Sequence, residues 1–465
     1  MSKMHQFNES ILREYDVRGI VGETLFEEDA TALGRAFGSL VIRAGGKKIS
    51  LGYDGRLSSP KMEKAILEGV LSTGVDVLRV GLGPTPMLYY SVFELDTHGG
   101  IMITGSHNPE SHNGFKMMLG KGGCYGQQIQ ELGKMSREGD LEQGQGTAQE
   151  VDIFDRYIDR LIKDVDMDAL KKANISMAWD AGNGAAGDVM SAVVKRLPGR
   201  HILLNEKIDG SFPAHHPDPT VPENLIQLQD VIKQQKLDLG VAFDGDGDRI
   251  GAVDCGGEII WGDQLLAILA KDVLAELPGS KIIADIKCSQ VLFDHIKELG
   301  GVPVMWKTGH SLIKSKMVEL NAPLAGEMSG HIFFKHKYYG FDDAIYVALR
   351  LLNTVCAIEG GLQGARKSLP AVVNTPEIRI DCAEGRSFEV VAEVLEHLRK
   401  IGAQVNDLDG ARVLCDDGWW LIRASNTQSV IVARCEGKDM DALKRVYSDL
   451  SACLKLSNIE LPALP

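Results

Sequence analysis

The chain has no CxxC pair, no apolar run approaching the roughly 18 residues that a membrane span requires, and no surplus of positive charge. Each absence removes a class of function. The cysteines (Cys124, Cys255, Cys288, Cys356, Cys382, Cys415, Cys435 and Cys453) are scattered. They read as reduced, mostly packed thiols of a cytoplasmic protein, not as a disulfide framework or a zinc module. The opening stretch MSKMHQFNESILREYD holds no apolar signal core. With a formal net charge of −14, nonspecific binding to nucleic acid or to an anionic membrane surface is not expected as the main task, although a local basic pocket is compatible with that total. What remains is ordinary for a soluble globular protein, 44% hydrophobic and 25% charged. At 465 residues it is long enough for roughly three or four domains.

Self-similarity organises the chain. Three apolar segments end in a similar acidic turn: KKISLGYDGR reaches Asp54, NISMAWDAGNG reaches Asp180 and SKIIADIKCS reaches Asp285. Each precedes a helical pattern and, later, a second strand emptying into a polar loop: GGIMITGSHNP, LGVAFDGDGDR and APLAGEMSGH. A further echo joins GVDVLRVGLGPTPMLYYSV (74–92) to GVPVMWKTGHSLIKSKM (301–317). Strands separated by helical stretches imply a mixed, mostly parallel sheet, so the pattern predicts three α/β domains of one topology, each donating a loop. The tail departs from it. NTPEIRID reads as a strand, and Ser387 as an N-cap for FEVVAEVLEHLRKI. Phe388, Val391, Leu395 and Leu398 share one helical face, with Gly402 just past the helix end. Two strand patterns, GWWLIRAS and SVIVARCE, and an amphipathic helix from about Met440 complete a smaller α+β unit. The expected domains are 1–152, 153–256, 257–369 and 370–465.

Chemistry concentrates in the loops. In DGDGDR, Asp244, Asp246 and Asp248 alternate with glycines and can turn toward one hard cation; oxygen-only ligands favour Mg²⁺ or Ca²⁺ over zinc. An EF-hand is excluded, because its sixth position would be Arg249 and its twelfth Cys255. GNGAAG (182–187) matches a dinucleotide fingerprint after a strand, with Glu206 downstream. No second nucleotide-binding half is evident, so it reads as a tight strand-to-helix turn. GEMSGH puts Glu327, Ser329 and His331 at alternate positions, which extended backbone would point to one side, a set suited to a polyol such as a sugar. RASNTQS supplies an arginine, hydroxyls, an amide and backbone N–H groups, a natural anion cradle. Ser106, in TGSHNPESHNGFKMM, lacks the G-x-S-x-G surroundings of a hydrolase nucleophile and is better suited to carry phosphate near a carboxylate-bound cation. Lys116 would offset charge or take a proton.

In order along the chain, REYDVRGIVG (13–22), TGSHNP, DGDGDR, KTGHSLIK (307–314), GEMSGH and RASNT resemble the motifs of the α-D-phosphohexomutases, in particular the bacterial phosphomannomutase/phosphoglucomutase branch. The resemblance spans essentially the whole chain. It departs at Gly105, where the family's serine loop usually has Ala, which suggests a slightly looser backbone. Met328 stands where phosphoglucosamine mutases typically carry Gln. The resemblance implies a heart-shaped arrangement of three mixed α/β domains and a smaller fourth around one cleft. It implies a phosphoserine at Ser106, with Mg²⁺ held by Asp244, Asp246, Asp248 and a phosphate oxygen on Ser106. Arg249 would face the phosphoserine, and Glu327 and Ser329 would bind sugar hydroxyls. Arg423, Ser425, Asn426 and Thr427 would hold the non-reacting phosphate, with Tyr15 nearby. Arg18, Lys116, Lys287, His310 and His331 would complete a charged cleft, the proton-moving role resting with Lys116, His310 or His331. The implied reaction interconverts hexose 1- and 6-phosphates of mannose or glucose through a 1,6-bisphosphate that also serves as activator. The expected partner is a phosphosugar, with no nucleic acid or membrane, for a monomer or else a dimer. A phosphoglucosamine mutase would differ in its preferred 1-phosphosugar. A phosphatase would release inorganic phosphate without isomerised sugar. A non-catalytic binder has no use for Ser106 and three aspartates.

Overall fold

The computed structural model describes residues 4–383, 385–425 and 429–464. Its first three sheets share one core order. In the first, His112–Leu119, Gly99–Ile103, Lys48–Tyr53 and Asp76–Leu82 lie side by side. In the second the equivalents are Ile250–Asp254, Leu239–Phe243, Ser176–Asp180 and Arg200–Leu204. In the third they are Ile332–Phe334, Leu324–Gly326, Lys281–Asp285 and Val302–Trp306. In each the first pair is antiparallel and the next two are parallel. The acidic turns of the sequence repeat therefore end the same strand three times. The three polar loops are the three hairpin turns that close the antiparallel pair. A loop at the carboxyl end of a parallel strand is where open α/β sheets expose their chemistry.

The inner strands of these sheets are almost uniformly buried, as strands covered by helices on both faces require, whereas the outer parallel strands Asp76–Leu82, Arg200–Leu204 and Val302–Trp306 are largely half-buried. The first domain carries its own core around Leu33, Phe37, Leu51 and Ile101. The second and third share one continuous core, which runs through helix Ala344–Cys356 and the helices Phe154–Ile162 and Gly262–Glu276. Helix Ala344–Cys356 is apolar nearly all round because it is buried nearly all round. Its N-cap, Asp343, accepts from the Tyr346 amide at 3.0 Å and from the hydroxyls of Tyr157 and Tyr338 at 2.8 and 2.7 Å. No single helix among the described residues is long and apolar enough to cross a membrane.

The fourth domain is an antiparallel sheet in the order Val373–Asn374, Val430–Gly437, Gly418–Ala424, Ala411–Cys415 and Val405–Asn406. Ile378–Asp381 also pairs with Val430–Gly437, and helices Arg386–Lys400 and Met440–Lys455 pack against the sheet. Three details differ from the sequence pattern. The first helix is capped by Gly385 at φ 77°, which places Ser387 inside its first turn, buried. Phe388 is 56% exposed, and the buried face is Val390, Val391, Val394 and Leu398, about a third of a turn away. Strands Val405–Asn406 and Ala411–Cys415 went unread because they are short, and polar or charged residues interrupt their apolar pattern. Gly402 does follow the helix in the left-handed region, at φ 67°.

Candidate active site

Ser106 stands two residues beyond Thr104, in the turn joining Gly99–Ile103 to His112–Leu119. Its amide donates to Thr104 Oγ1 at 2.8 Å, and its backbone adopts φ 49°, a left-handed state that a serine holds only where its surroundings impose it. The Ser106 hydroxyl donates to Asp244 Oδ2 at 3.1 Å and lies 3.2 Å from His107 Nδ1. Two hairpin turns from different domains thus meet at one serine.

The aspartate loop is braced from three sides. Asp244 Oδ1 accepts from the amides of Asp248 and Arg249 at 3.0 and 3.1 Å. From the first domain, Thr85 donates its amide to the Asp246 carbonyl at 2.8 Å and its hydroxyl to Asp246 Oδ2 at 2.5 Å. From the third, the Ala344 amide donates to the Gly247 carbonyl at 3.2 Å, and Gly247 makes the turn at φ 73°. GNGAAG sits beneath: the Ala185 amide donates to the Gly245 carbonyl at 2.9 Å, and a Cβ on Gly184 would crowd Gly245. That motif is a support for the aspartate loop.

Asp244, Asp246 and Asp248 are fully buried, and each offers a carboxylate oxygen within 4.8 Å of the others. Lys116 reaches in from strand His112–Leu119, its Nζ 2.7 Å from Asp246 Oδ2 and also paired with Asp248. Burial opposes ionisation of all three carboxylates. At Asp244 it dominates, and with Asp246 beside it the group is held well above the usual range; Asp248 is shifted up for the same reasons. At Asp246 burial is the largest single influence, but the Lys116 ammonium and hydrogen bonds from Lys116, Thr85 and Asp244 together outweigh it and hold the group down. Burial would lower Lys116, but Asp246 and Asp248 overcome it and keep the lysine above its ordinary value, hence charged. Asp246 Oδ1 and Asp248 Oδ1 are buried without a hydrogen-bond partner. Two orphaned carboxylate oxygens beside a third carboxylate and a serine hydroxyl form a donor set that fits a hard divalent cation.

GEMSGH is not extended. Strand Leu324–Gly326 ends at Glu327, and the chain turns back through Gly330 at φ 89° before strand Ile332–Phe334. The amide of Glu327 donates to the His331 carbonyl at 2.8 Å, so those two residues face each other across the turn. The expected alternation is therefore replaced by a hairpin, because the glycine admits a left-handed residue where a strand cannot continue. Glu327 accepts from the Gly309 amide at 2.5 Å and from the Ser329 hydroxyl at 3.1 Å. His331 Nε2 accepts from Arg249 Nε at 2.9 Å, its Nδ1 lies 2.9 Å from the buried Asp342 Oδ2, and its ring stacks on His310 with centroids 5.4 Å apart. Burial, then Lys314, holds His310 well below its ordinary value, so it is neutral at pH 7.

These loops line one cleft of about 930 Å³, together with Tyr15, Arg18, Lys116, Arg249, Lys287, His310, Arg423 and Ser425. Tyr15 donates to the Thr308 carbonyl at 2.9 Å, Arg18 pairs with Asp16, and Arg423 Nε donates to Asp409 at 3.1 Å. Lys287 Nζ donates to Glu377 Oε2 at 3.1 Å, a contact between the third and fourth domains. Asn426 and Thr427 lie outside the described residues. Several residues in the cleft or behind its lining were not read from sequence. Arg434 donates to the Lys287 carbonyl at 2.5 Å and contacts Met328; Asp409 holds Arg423; Asp342 backs His331. Arg56, three residues past Tyr53 and visible in the repeat segment KKISLGYDGR, lies under the serine loop. A Cβ on Gly105 would overlap the Arg56 guanidinium, so the glycine fills a packing requirement and is not a point of looseness.

Four domains around a cationic cleft, with a serine hydroxyl at a buried carboxylate trio, define an enzyme of phosphoryl transfer. In sequence the chain matches, in order, phosphoglucomutase/phosphomannomutase alpha/beta/alpha domain I over residues 9–140, domain II over 155–257, domain III over 261–373 and the C-terminal domain over 377–452. It is 43% identical over 453 residues to a phosphomannomutase/phosphoglucomutase of Pseudomonas aeruginosa, covering 97% of each chain. It is 41% identical to a phosphoglucomutase of Neisseria gonorrhoeae, over 97% of this chain and 98% of that one. A crystal structure of a phosphoglucomutase/phosphomannomutase family protein from Burkholderia thailandensis superposes with a TM-score of 0.91 at 39% identity, covering 99% of both chains. The chain belongs to the phosphoglucomutase/phosphomannomutase family of α-D-phosphohexomutases, enzymes that move phosphate within a sugar.

Proposed function

We propose that this enzyme interconverts the 1- and 6-phosphates of mannose and glucose through a phosphoserine at Ser106 and a hexose 1,6-bisphosphate. The observation that carries the reading is the 3.1 Å contact between the Ser106 hydroxyl and Asp244, inside a carboxylate trio with two unpartnered oxygens. Asp244, Asp246 and Asp248 would hold Mg²⁺ there, with a phosphate oxygen on Ser106 completing the set. The bound ion would offset charge on the transferring phosphoryl group. Boundaries near 152, 256 and 369 are part of the same proposal.

The chain's own residues would act as follows. A sugar hydroxyl attacks the phosphorus carried by Ser106; the bond from phosphorus to the sugar oxygen forms, that from phosphorus to Oγ breaks, and the departing Oγ takes up a proton to give the Ser106 hydroxyl that donates to Asp244. The hydroxyl proton passes to His331, which lines the cleft, once the sugar hydroxyl displaces the Arg249 donor from its Nε2; its Nδ1 lies 2.9 Å from Asp342, which orients the ring. Arg249 and Lys116 offset charge at the serine. His310 shapes the pocket beside His331. Glu327 and Ser329 hold sugar hydroxyls. Arg423 and Ser425, with Asn426 and Thr427, grip the phosphate that is not reacting, beside Tyr15, Arg18 and Lys287. The bisphosphate then turns, and the second phosphate returns to Ser106.

A coupled assay on the 1-phosphates of mannose, glucose and glucosamine, with intact-mass measurement of Ser106 phosphorylation, tests this reading. Turnover of the first two and added phosphoryl mass are expected. A preference for the glucosamine sugar, or phosphate release without isomerised product, would replace it.

A further inference from the structure

Arg56 follows strand Lys48–Tyr53 and, at 1% exposure, is among the largest fully buried side chains. Its Nη2 donates to the carbonyls of Ser106 and Asn108 at 2.7 and 2.6 Å. Its Nη1 donates to those of Pro109 and His112 at 2.6 and 3.0 Å. Its Nε lies 3.3 Å from Asp54 Oδ2, the oxygen that also accepts from the Gly105 amide at 3.2 Å. Phe212, from the second domain, covers the guanidinium at 5.2 Å. One planar cation thus ties together both ends and the middle of the serine loop. Its counter-charge, Asp54, ends the central strand of the sheet.

The loop needs such a tie. Four carbonyls that converge on one point repel one another unless a donor lies between them, and Ser106 is held at φ 49°. A lysine could not replace this arrangement, because an ammonium lacks the rigid fork that reaches two pairs of oxygens at once. The space is also cut to fit: Gly105 lacks the Cβ that would collide with the guanidinium.

We infer that Arg56 is a positioning residue for phosphoryl transfer, fixing the Ser106 oxygen relative to the aspartate loop through the backbone of residues 105–112. The inference rests on Ser106 carrying the phosphoryl group. Arg56 is buried and does not line the cleft. Its effect should therefore fall on the rate of transfer, not on sugar binding, since a misplacement of about 1 Å can cost about a hundredfold in rate.

Arg56→Lys and Gly105→Ala test this. The first keeps the charge and loses the fork; the second keeps the arginine and pushes it. Enzyme loaded with glucose 1,6-bisphosphate is checked by intact mass and mixed with sugar phosphate, and single-turnover transfer from Ser106 is timed alongside a thermal melt. Arg56→Lys should slow transfer roughly tenfold to a hundredfold, with KM within about twofold of wild type, and Gly105→Ala roughly tenfold. A lowered melting temperature with wild-type transfer would assign Arg56 to stability alone and overturn the inference. If Arg56→Lys does not fold, the transfer rate of Gly105→Ala decides. If wild-type enzyme never gains phosphoryl mass on Ser106, the proposed phosphoserine is what fails.

Discussion

Replacing Asp246 with Asn removes one charge from the aspartate loop and almost nothing from its shape. Asp246 Oδ2 receives the Thr85 hydroxyl at 2.5 Å and Lys116 Nζ at 2.7 Å, and an amide oxygen can keep both. The amide nitrogen then falls where Oδ1 is now, buried and unpartnered, and points a donor at the place proposed for Mg²⁺. In charge, three carboxylates and one ammonium leave two negative charges for a divalent cation; the variant leaves one. At about 4 Å and an effective dielectric constant of about 20, one unit charge interacts with a divalent cation by about 8 kcal/mol, twice the value for a unit pair. Relaxation of the loop reduces this, so a loss of about 2–4 kcal/mol for a divalent ion is expected. That is roughly 30-fold to 1000-fold in Mg²⁺ affinity. Without metal the change should be small, because relief of Asp244 and Asp248 opposes the loss at Lys116. The assay is a thermal melt across a Mg²⁺ titration, read beside activity. Wild-type enzyme at a hundred times its Kd gains about 2.7 kcal/mol, and the variant at the same concentration should lose most of that gain. Equal Mg²⁺ midpoints in melting and in activity would refute the assignment of these carboxylates to a metal.

Ser106→Ala should lower turnover by about 10³-fold or more while leaving the melt and Mg²⁺-free fold intact, as measured by kcat and circular dichroism; wild-type kcat would end the phosphoserine mechanism. Arg423→Ala should raise KM for both 1- and 6-phosphosugars roughly tenfold to a hundredfold, the scale of one charge-assisted phosphate contact, and added glucose 1,6-bisphosphate should restore part of the flux. An unchanged KM in both directions would make that loop a polar hairpin only. Burial raises Asp343 to about 6, against hydrogen bonds from Tyr346, Tyr338 and Tyr157. Its folded value lies above the unfolded one, so its contribution to stability is complete below pH ~4 and is lost as pH rises through about 6, a gap of about 3 kcal/mol. Asp343→Asn keeps an acceptor for the helix cap, so its stability relative to wild type should rise by that amount between pH 4 and pH 7 in urea titrations. A constant difference across that range would contradict the shift.

Much of this protein is written in short contiguous segments. The repeat ending at Asp54, Asp180 and Asp285 was legible because a buried parallel strand is a run of apolar residues closed by a turn, whatever surrounds it. The trio Asp244, Asp246 and Asp248 was legible because one loop supplies all its charge, and Ser106 because its neighbours exclude the common serine chemistries. Where local pattern misled, a single residue decided. Gly330 turned an expected strand into a hairpin, and Gly385 took the cap expected of Ser387. What the chain order concealed is what crosses between domains. Thr85 meets Asp246 across 161 residues, Ser106 meets Asp244 across 138, and Arg249 meets His331 across 82. Arg56 beneath the serine loop and Asp342 behind His331 carry no local sequence signal of their roles. Their roles arise only when folding withdraws them from water. A buried charge must find partners wherever the packed domains bring them, and no local pattern encodes that meeting.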